Sequence, residues 1–398
     1  MQDVIYLAGC AVNEIVPAAD RIKSMNLDLV YAVADRHMLK AVIAMALESA
    51  GVKDVRSAQA IAMAMRRTAI LDAEKTALLQ RLEAAGIWYM PLKGAVLKDD
   101  YPKYGMRQMA DYDFLFDADR AEDVKGIMEE LGFYIGSYGK SHHDAYYKKP
   151  VCNFEMHRVL FGSLHEERLY NYYFNIKNRL LKDEGNNYGY HFSPEDFYLY
   201  ITAHEYKHFI KSGTGLRSLL DSYVFLKKYD SGLNWNYIRQ ESEKLGFSAF
   251  ENKNRNLAVH LFSGKLLSAE TLTKEALTEE TLTKETLTKE SLTEATLKAE
   301  SLSAEEKEML GYMFFSGTHG TFENYVNNSV ERNGGGVAGK LRYLQKRLFL
   351  PMDVIKVAYP VVYEHKLLLP LFVVWRIGKG VLLRSGRIVS ELRFLLGK

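Results

Sequence analysis

Three acids, set in two short apolar runs, are the residues of this sequence best placed to do chemistry. Asp111 and Asp113 fall in Asp111-Tyr112-Asp113-Phe114-Leu115-Phe116, a run rich in the aromatic residues that strands favour. Side chains alternate along a strand, so both carboxylates share one face, with Tyr112, Phe114 and Phe116 on the other. A second short strand, Cys152-Asn153-Phe154-Glu155-Met156-His157, is expected to bring Glu155 alongside. Three converging carboxylates repel one another unless a cation neutralises them, and oxygen-only ligands suit Mg²⁺. Two such ions can clamp the attacking and leaving oxygens of a phosphoryl displacement. The bland alternative for Asp111 and Asp113 is a surface turn with two solvated carboxylates. The unbroken run Phe114-Leu115-Phe116 argues instead for a strand buried on both faces. Glu155, for its part, could pair with an arginine.

Other polar residues bear on the same chemistry. Lys93-Gly94 follows Ile87-Trp88-Tyr89-Met90, which reads as a strand, and opens a short helix. Glycine lets backbone N–H groups approach a phosphate, a helix N-terminus favours anions, and lysine adds a point charge. A tight turn with a solvated lysine is the other reading. Arg107 either touches a phosphate or balances the acids through a salt bridge to one of the two aspartates. His204-Glu205-Tyr206-Lys207-His208 matches the H-E-x-x-H pattern of zinc hydrolases: two histidines one turn apart, with Glu205 as general base. Lys207 and the lack of a third ligand at short spacing argue against zinc. His204 and His208 then line the cleft facing the sheet or pack as ordinary histidines. Arg217 and Asp221, at i and i+4, read as a helix pair or as cleft wall.

In order, Leu92-Lys93-Gly94, Arg107-Gln108-Met109-Ala110-Asp111-Tyr112-Asp113 and Phe154-Glu155-Met156-His157 resemble an uncharacterised nucleotidyltransferase family. That family belongs to the DNA polymerase beta-like nucleotidyltransferase superfamily. There, a strand leads into a Gly-Ser turn, a D-x-D strand follows, and a further acid lies on a later strand. Here Lys93-Gly94 stands at the turn in place of Gly-Ser. Ile201 to His208, Leu216 to Asp221 and Leu368-Leu369-Pro370-Leu371 with Trp375-Arg376 are similar to the family's helical half, so the resemblance spans most of the chain. It implies Mg²⁺-dependent transfer of a nucleoside monophosphate from an NTP. Asp111, Asp113 and Glu155 would be catalytic and metal-binding, and Lys93, Gly94, Arg107, His204 and His208 would contact the nucleotide. A nucleotide- or RNA-binding protein without turnover is the alternative, motivated by the missing Gly-Ser; a zinc hydrolase is the third reading. The acceptor (small molecule, RNA or protein) and the choice of NTP stay open.

These residues need a scaffold, and the sequence outlines one. The 398 residues are 47% hydrophobic and 26% charged, enough for about two or three domains of ordinary composition. Two cysteines, Cys10 and Cys152, are too few for a disulfide framework, and the first residues lack a signal-peptide pattern, so a cytoplasmic location is expected. The greasy stretch from Leu367 to Val374 is too short to span a bilayer. The expected class is α+β: a small mixed-sheet core at 86–192 embedded in mostly helical segments. Those are 1–85, a helical domain at 193–264, and a basic helical segment at 310–398, with a low-complexity insert at 265–309. Helices are predicted over Leu39–Ala50, Ala58–Leu82, Ala121–Leu131 (capped by Asp119, with Gly132 past its end), Glu195–Lys211 (opened by Ser193-Pro194) and Leu216–Tyr229.

Leu272, Leu277, Leu282, Leu287, Leu292, Leu297 and Leu302 recur every five residues. On a helix that period turns by roughly 140° per repeat and forms no stripe, so the insert reads as weakly helical or disordered. From Val337 onward there are twelve Lys or Arg against three acids, so the near-neutral net charge of +2 conceals a basic tail. Such a tail could attract RNA, a nucleotide or an anionic membrane surface, or present a solvated face.

Overall fold

Alternation along two strands separates the interior into two cores. In the computed structural model, residues 1–163, 166–263 and 302–396 are described. The chain opens with α1 (Gln2–Val12), α2 (Ala19–Lys23), α3 (Leu27–Arg36), α4 (Lys40–Ser49) and α5 (Val55–Ala84). The last two are the helices predicted at Leu39–Ala50 and Ala58–Leu82. Then come β1 (Tyr89–Leu92), α6 (Gly94–Leu97), β2 (Tyr112–Phe116), α7 (Ala121–Glu130), β3 (Tyr134–Ser137), β4 (His143–Lys148) and β5 (Cys152–His157). The sheet order is β1-β2-β5-β4-β3, with β2 and β5 parallel and the other pairs antiparallel. The expected α+β class with a mixed sheet is therefore present.

All five residues of β2 are buried, as its apolar run required. One sheet face carries Tyr112, Phe114, Phe116, Phe154, Met156 and Tyr146. They pack on Leu71, Leu78 and Leu82 of α5 and on Val124, Ile127 and Met128 of α7. Each such side chain contributes roughly 1.5–3 kcal/mol when fully buried. The predicted Asp119 cap of α7 is not formed. Asp117 accepts the Asp119 N–H instead, winding residues 118–120 into a 3-10 turn, so Arg120 becomes the N-cap residue without a side-chain hydrogen bond. Gly132, at φ +82°, ends the helix as expected.

After α8 (Glu167–Tyr173) and a two-stranded ribbon, β6 (Leu181–Lys182) with β7 (Tyr190–His191), the chain becomes helical. The helices are α9 (Pro194–Lys211), α10 (Leu216–Tyr229), α11 (Trp235–Leu245) and α12 (Ser248–Phe262). Ser193 Oγ accepts from the Asp196 N–H at 3.1 Å with Pro194 in the first turn, the predicted start of α9. These helices share the second core with α1, α4 and the other sheet face, through Met90, Leu92 and Leu115.

The reading of the leucine repeat falls outside the described residues save for Leu302 and Ser303. Leu302 is buried in the helical core. The chain continues as α13 (Ala304–Ser316), opened by a Ser303–Glu306 capping box. This helix lies back against α12: His260 Nδ1 is 3.2 Å from Glu306 Oε1, and Lys253 Nζ is 2.8 Å from Glu305 Oε2. Then follow α14 (Phe322–Arg332), α15 (Gly336–Leu348), α16 (Met352–Ala358), α17 (Pro360–Glu364) and α18 (Leu369–Leu396). Val326, Val330, Tyr343 and Leu395 join α14, α15 and α18 in a small core, while Leu371, Val374, Trp375 and Leu382 stay exposed. Among the described residues no helix is long and apolar enough to cross a membrane.

Candidate active site

The parallel register of β2 and β5 sets Asp113 against Glu155 and Leu115 against His157. Antiparallel β4 sets His143 against His157 and Ala145 against Glu155. The two-residue period then gathers Asp113, Glu155, His157 and His143 on the sheet face away from α5 and α7. Ala145, opposite Glu155, leaves room for the carboxylate. Asp113 Oδ1 accepts from Lys93 Nζ at 2.8 Å and lies 2.9 Å from His157 Nε2. Glu155 Oε2 lies 3.7 Å from Nε2 of both His143 and His157. One ligand atom each of Asp113, Glu155 and His157 falls within a 4.8 Å group, and the same holds for His142, His143 and His157. Asp111, one residue ahead of β2 and half-buried, feels the charges of Asp113, Lys93, Arg217 and Arg107 without joining the compact group.

The electrostatics follow from burial and crowding. Burial opposes the Asp113 charge, but Lys93 and His157 outweigh it and hold this carboxyl well below the usual range. Glu155 goes the other way, pushed up to about 7 by burial and by Asp113. Burial and the Asp113 charge also raise Asp111. Burial lowers His157 to about 4 and His142 to about 3. Two adjacent carboxyls driven in opposite directions mark a site short of positive charge, which suits a cation.

Lys93 and Gly94, the expected phosphate contacts, have intramolecular tasks. Lys93 sits at φ +45°, a region costly for a non-glycine residue by about 1–3 kcal/mol, and sends its ammonium to Asp113. A Cβ on Gly94 would lie 2.3 Å from Arg107 Nη1, so glycine is needed there to admit the guanidinium. The expected salt bridge from Arg107 to Asp111 or Asp113 is replaced by another. Arg107 Nε and Nη2 each donate to Asp221 at 2.8 Å, and Tyr101 Oη donates to the same carboxylate at 2.7 Å. This two-pronged geometry is stronger than a helix i,i+4 contact, so the expected Arg217–Asp221 pair does not form. Arg217 reaches the Gln108 carbonyl at 3.4 Å and Met38 Sδ at 3.0 Å.

On α9 the two histidines do share a face, with His204 Nε2 3.2 Å from His208 Nε2. Both feel the Lys93 charge, and burial lowers both. The charges of His157 and Asp113 also reach His204 and His208 respectively. Glu205 is turned about 100° round the helix into the core. There it accepts from Asn254 Nδ2 at 2.9 Å and from Ser222 Oγ at 3.4 Å, and burial raises it to about 8. It cannot serve as the base of a H-E-x-x-H centre, and among the described residues neither histidine joins a three-ligand group. Just before Asp111, a cavity of about 530 Å³ is lined by Lys40, Arg66, Arg67, Gln108 and Ala110.

A family model described as uncharacterised nucleotidyltransferase matches residues 23–263, more than half of the chain. The chain belongs to that family. No curated protein and no solved structure gives a significant match. The stretch matched to the nucleotidyltransferase family includes the whole sheet and α9. Within it lie residues that sequence reasoning passed over. His157 is two residues from Glu155, the spacing that united Asp111 and Asp113, so the signal for a shared face was present. His142 and His143 lie on and just before β4, a polar strand without apolar alternation. Tyr200 precedes His204 by one helical turn. Its hydroxyl is buried without a partner, and burial and the charges of Asp113 and Glu155 hold its proton on.

Proposed function

We propose that this nucleotidyltransferase moves a nucleoside monophosphate from an NTP to an acceptor hydroxyl or phosphate, with Mg²⁺. The observation that carries this reading is the register of Asp113 against Glu155 on neighbouring parallel strands, with Asp111 just ahead. Burial and the Asp113 charge raise Glu155 to about 7, the direction expected where carboxyls are gathered to hold a cation. Asp111, Asp113 and Glu155 are the residues that would hold Mg²⁺, which when bound neutralises triphosphate charge and acidifies the acceptor.

The other residues prepare the site. Lys93 supplies positive charge at Asp113 until ligands arrive. The Arg107–Asp221 bond ties the turn at Gly94 to α10 and so fixes where Lys93 begins. His204, His208 and Tyr200 feel the charges of Lys93, Asp113 and Glu155 and would add neutral, buried side chains beside the site. Little covalent work falls to side chains in such a scheme; positioning and charge dominate.

The test is label transfer from each α-³²P NTP, with Mg²⁺ and a cell extract as acceptor source. Transfer by the unaltered protein, abolished in Asp113→Asn with cooperative unfolding kept, is the expected result. Undiminished transfer in that variant overturns the site. A second reading, nucleotide binding without turnover, is favoured by the Lys93 ammonium already seated on Asp113 and by Lys93-Gly94 standing where the superfamily has Gly-Ser. Saturable ATP binding with no transfer to any acceptor would select it.

A further inference from the structure

Beside the carboxylates lie three imidazoles that the transfer reading leaves unused. We infer that His142, His143 and His157 form a nitrogen-donor site for a borderline transition-metal dication of the Zn²⁺ or Co²⁺ class. The inference concerns metal binding alone and stands whether or not nucleotidyl transfer occurs.

The backbone places the three rings. His143 and His157 are register partners on antiparallel β4 and β5. His142 directly precedes β4, and its carbonyl accepts from the Arg158 N–H at 2.9 Å, which fastens it to the end of β5. Ring centroids are 4.7, 5.1 and 5.6 Å apart, and one nitrogen of each ring falls within a 4.8 Å group. His142 Nε2 and His143 Nδ1 are already 3.4 Å apart. Two nitrogens each about 2.0–2.1 Å from one tetrahedral ion lie at much that separation. The third ring, within the 4.8 Å group, has only to move inward to complete the set.

The bonding of His157 points the same way. Its Nε2 is engaged by Asp113, while its Nδ1 is buried with no hydrogen-bond partner. Buried polar atoms nearly always find partners, so this one needs a reason. A carboxylate on one imidazole nitrogen leaves the lone pair on the other, which is the arrangement found behind metal-bound histidines. His142 and His143 are half-buried, so an ion has a route in. Imidazole donors favour borderline dications over Mg²⁺, which takes oxygen. Lys93 and Lys207 oppose added positive charge here, while Asp113 and Glu155 favour it.

The experiment is calorimetric titration of the full chain, stripped by chelator and without nucleotide, with Zn²⁺, Mn²⁺ and Mg²⁺. One Zn²⁺ equivalent is expected, weakened about 100-fold or more in His142→Ala/His143→Ala. It should be unchanged in His204→Ala/His208→Ala, which removes the other histidine pair. Failure of the unaltered chain to take up Zn²⁺ at about 100 Kd of an ordinary micromolar site, or binding that follows His204 and His208, overturns the inference. Because the first double variant could unfold, X-ray absorption at the zinc edge of the unaltered protein, loaded with one Zn²⁺ equivalent, reads the ligands directly. Imidazole scattering supports the site, and a shell of oxygen ligands alone refutes it.

Discussion

Lys93 Nζ lies 2.8 Å from Asp113 Oδ1, so the deepest acid of the site carries its own counter-ion. The pair is formed across 20 residues and is held by a backbone angle that lysine rarely adopts. Breaking such a buried pair leaves one charge uncompensated. Lys93→Met is therefore expected to cost about 3 kcal/mol and to raise the Asp113 carboxyl. Denaturant unfolding checks the first expectation. An unchanged midpoint would mean that the ammonium contributes nothing to the fold.

Gly94→Ala tests the packing of Arg107. The added methyl meets a guanidinium that Asp221 holds in place, so the clash is not relieved by a free side chain. A loss of about 1–3 kcal/mol is expected. In an Arg107→Ala background the same change should cost much less. Additive losses in the double-mutant cycle would show that the two residues do not meet.

Glu205 predicts a pH dependence. Its folded value, about 8, lies above the ordinary 4.5, so the native state binds the extra proton between those limits. The stabilisation is complete below about pH 4.5 and disappears as pH rises through about 8, with a slope of up to about 1.4 kcal/mol per pH unit. Glu205→Gln should flatten the fall in melting temperature between pH 5 and 8. Parallel profiles for the two proteins would contradict the assignment.

Tyr200→Phe removes a buried hydroxyl that has no partner. Deleting an unpaired polar atom is expected to leave stability unchanged or raise it by up to about 1 kcal/mol. A clear drop in melting temperature would reveal a bond the hydroxyl makes.

The core of this site was legible because strands repeat every two residues. Asp113 and Glu155 sit in short runs whose apolar neighbours fixed their facing, and one register then joined them. The start of α9 was legible for a similar local reason, since Ser193 and Pro194 act within one turn. Long-range partners were not. Arg107 and Asp221 are 114 residues apart, and nothing near either one names the other. Their bond also rewrote the expected roles of Gly94 and Arg217. His143 lay hidden in a strand that mixes polar and apolar residues on both faces. Glu205 shows the limit of a short motif: the spacing of the histidines held, but the residue between them faces the core.

The close return of α13 onto α12 fixes both described ends of the five-residue repeat region against one helical core. Ser303 and Glu306 start α13 by themselves, and Leu302 anchors it in the core. Helix α13 thus carries its own start signal and its own anchor, so it should form in the same place whatever number of five-residue units precedes it.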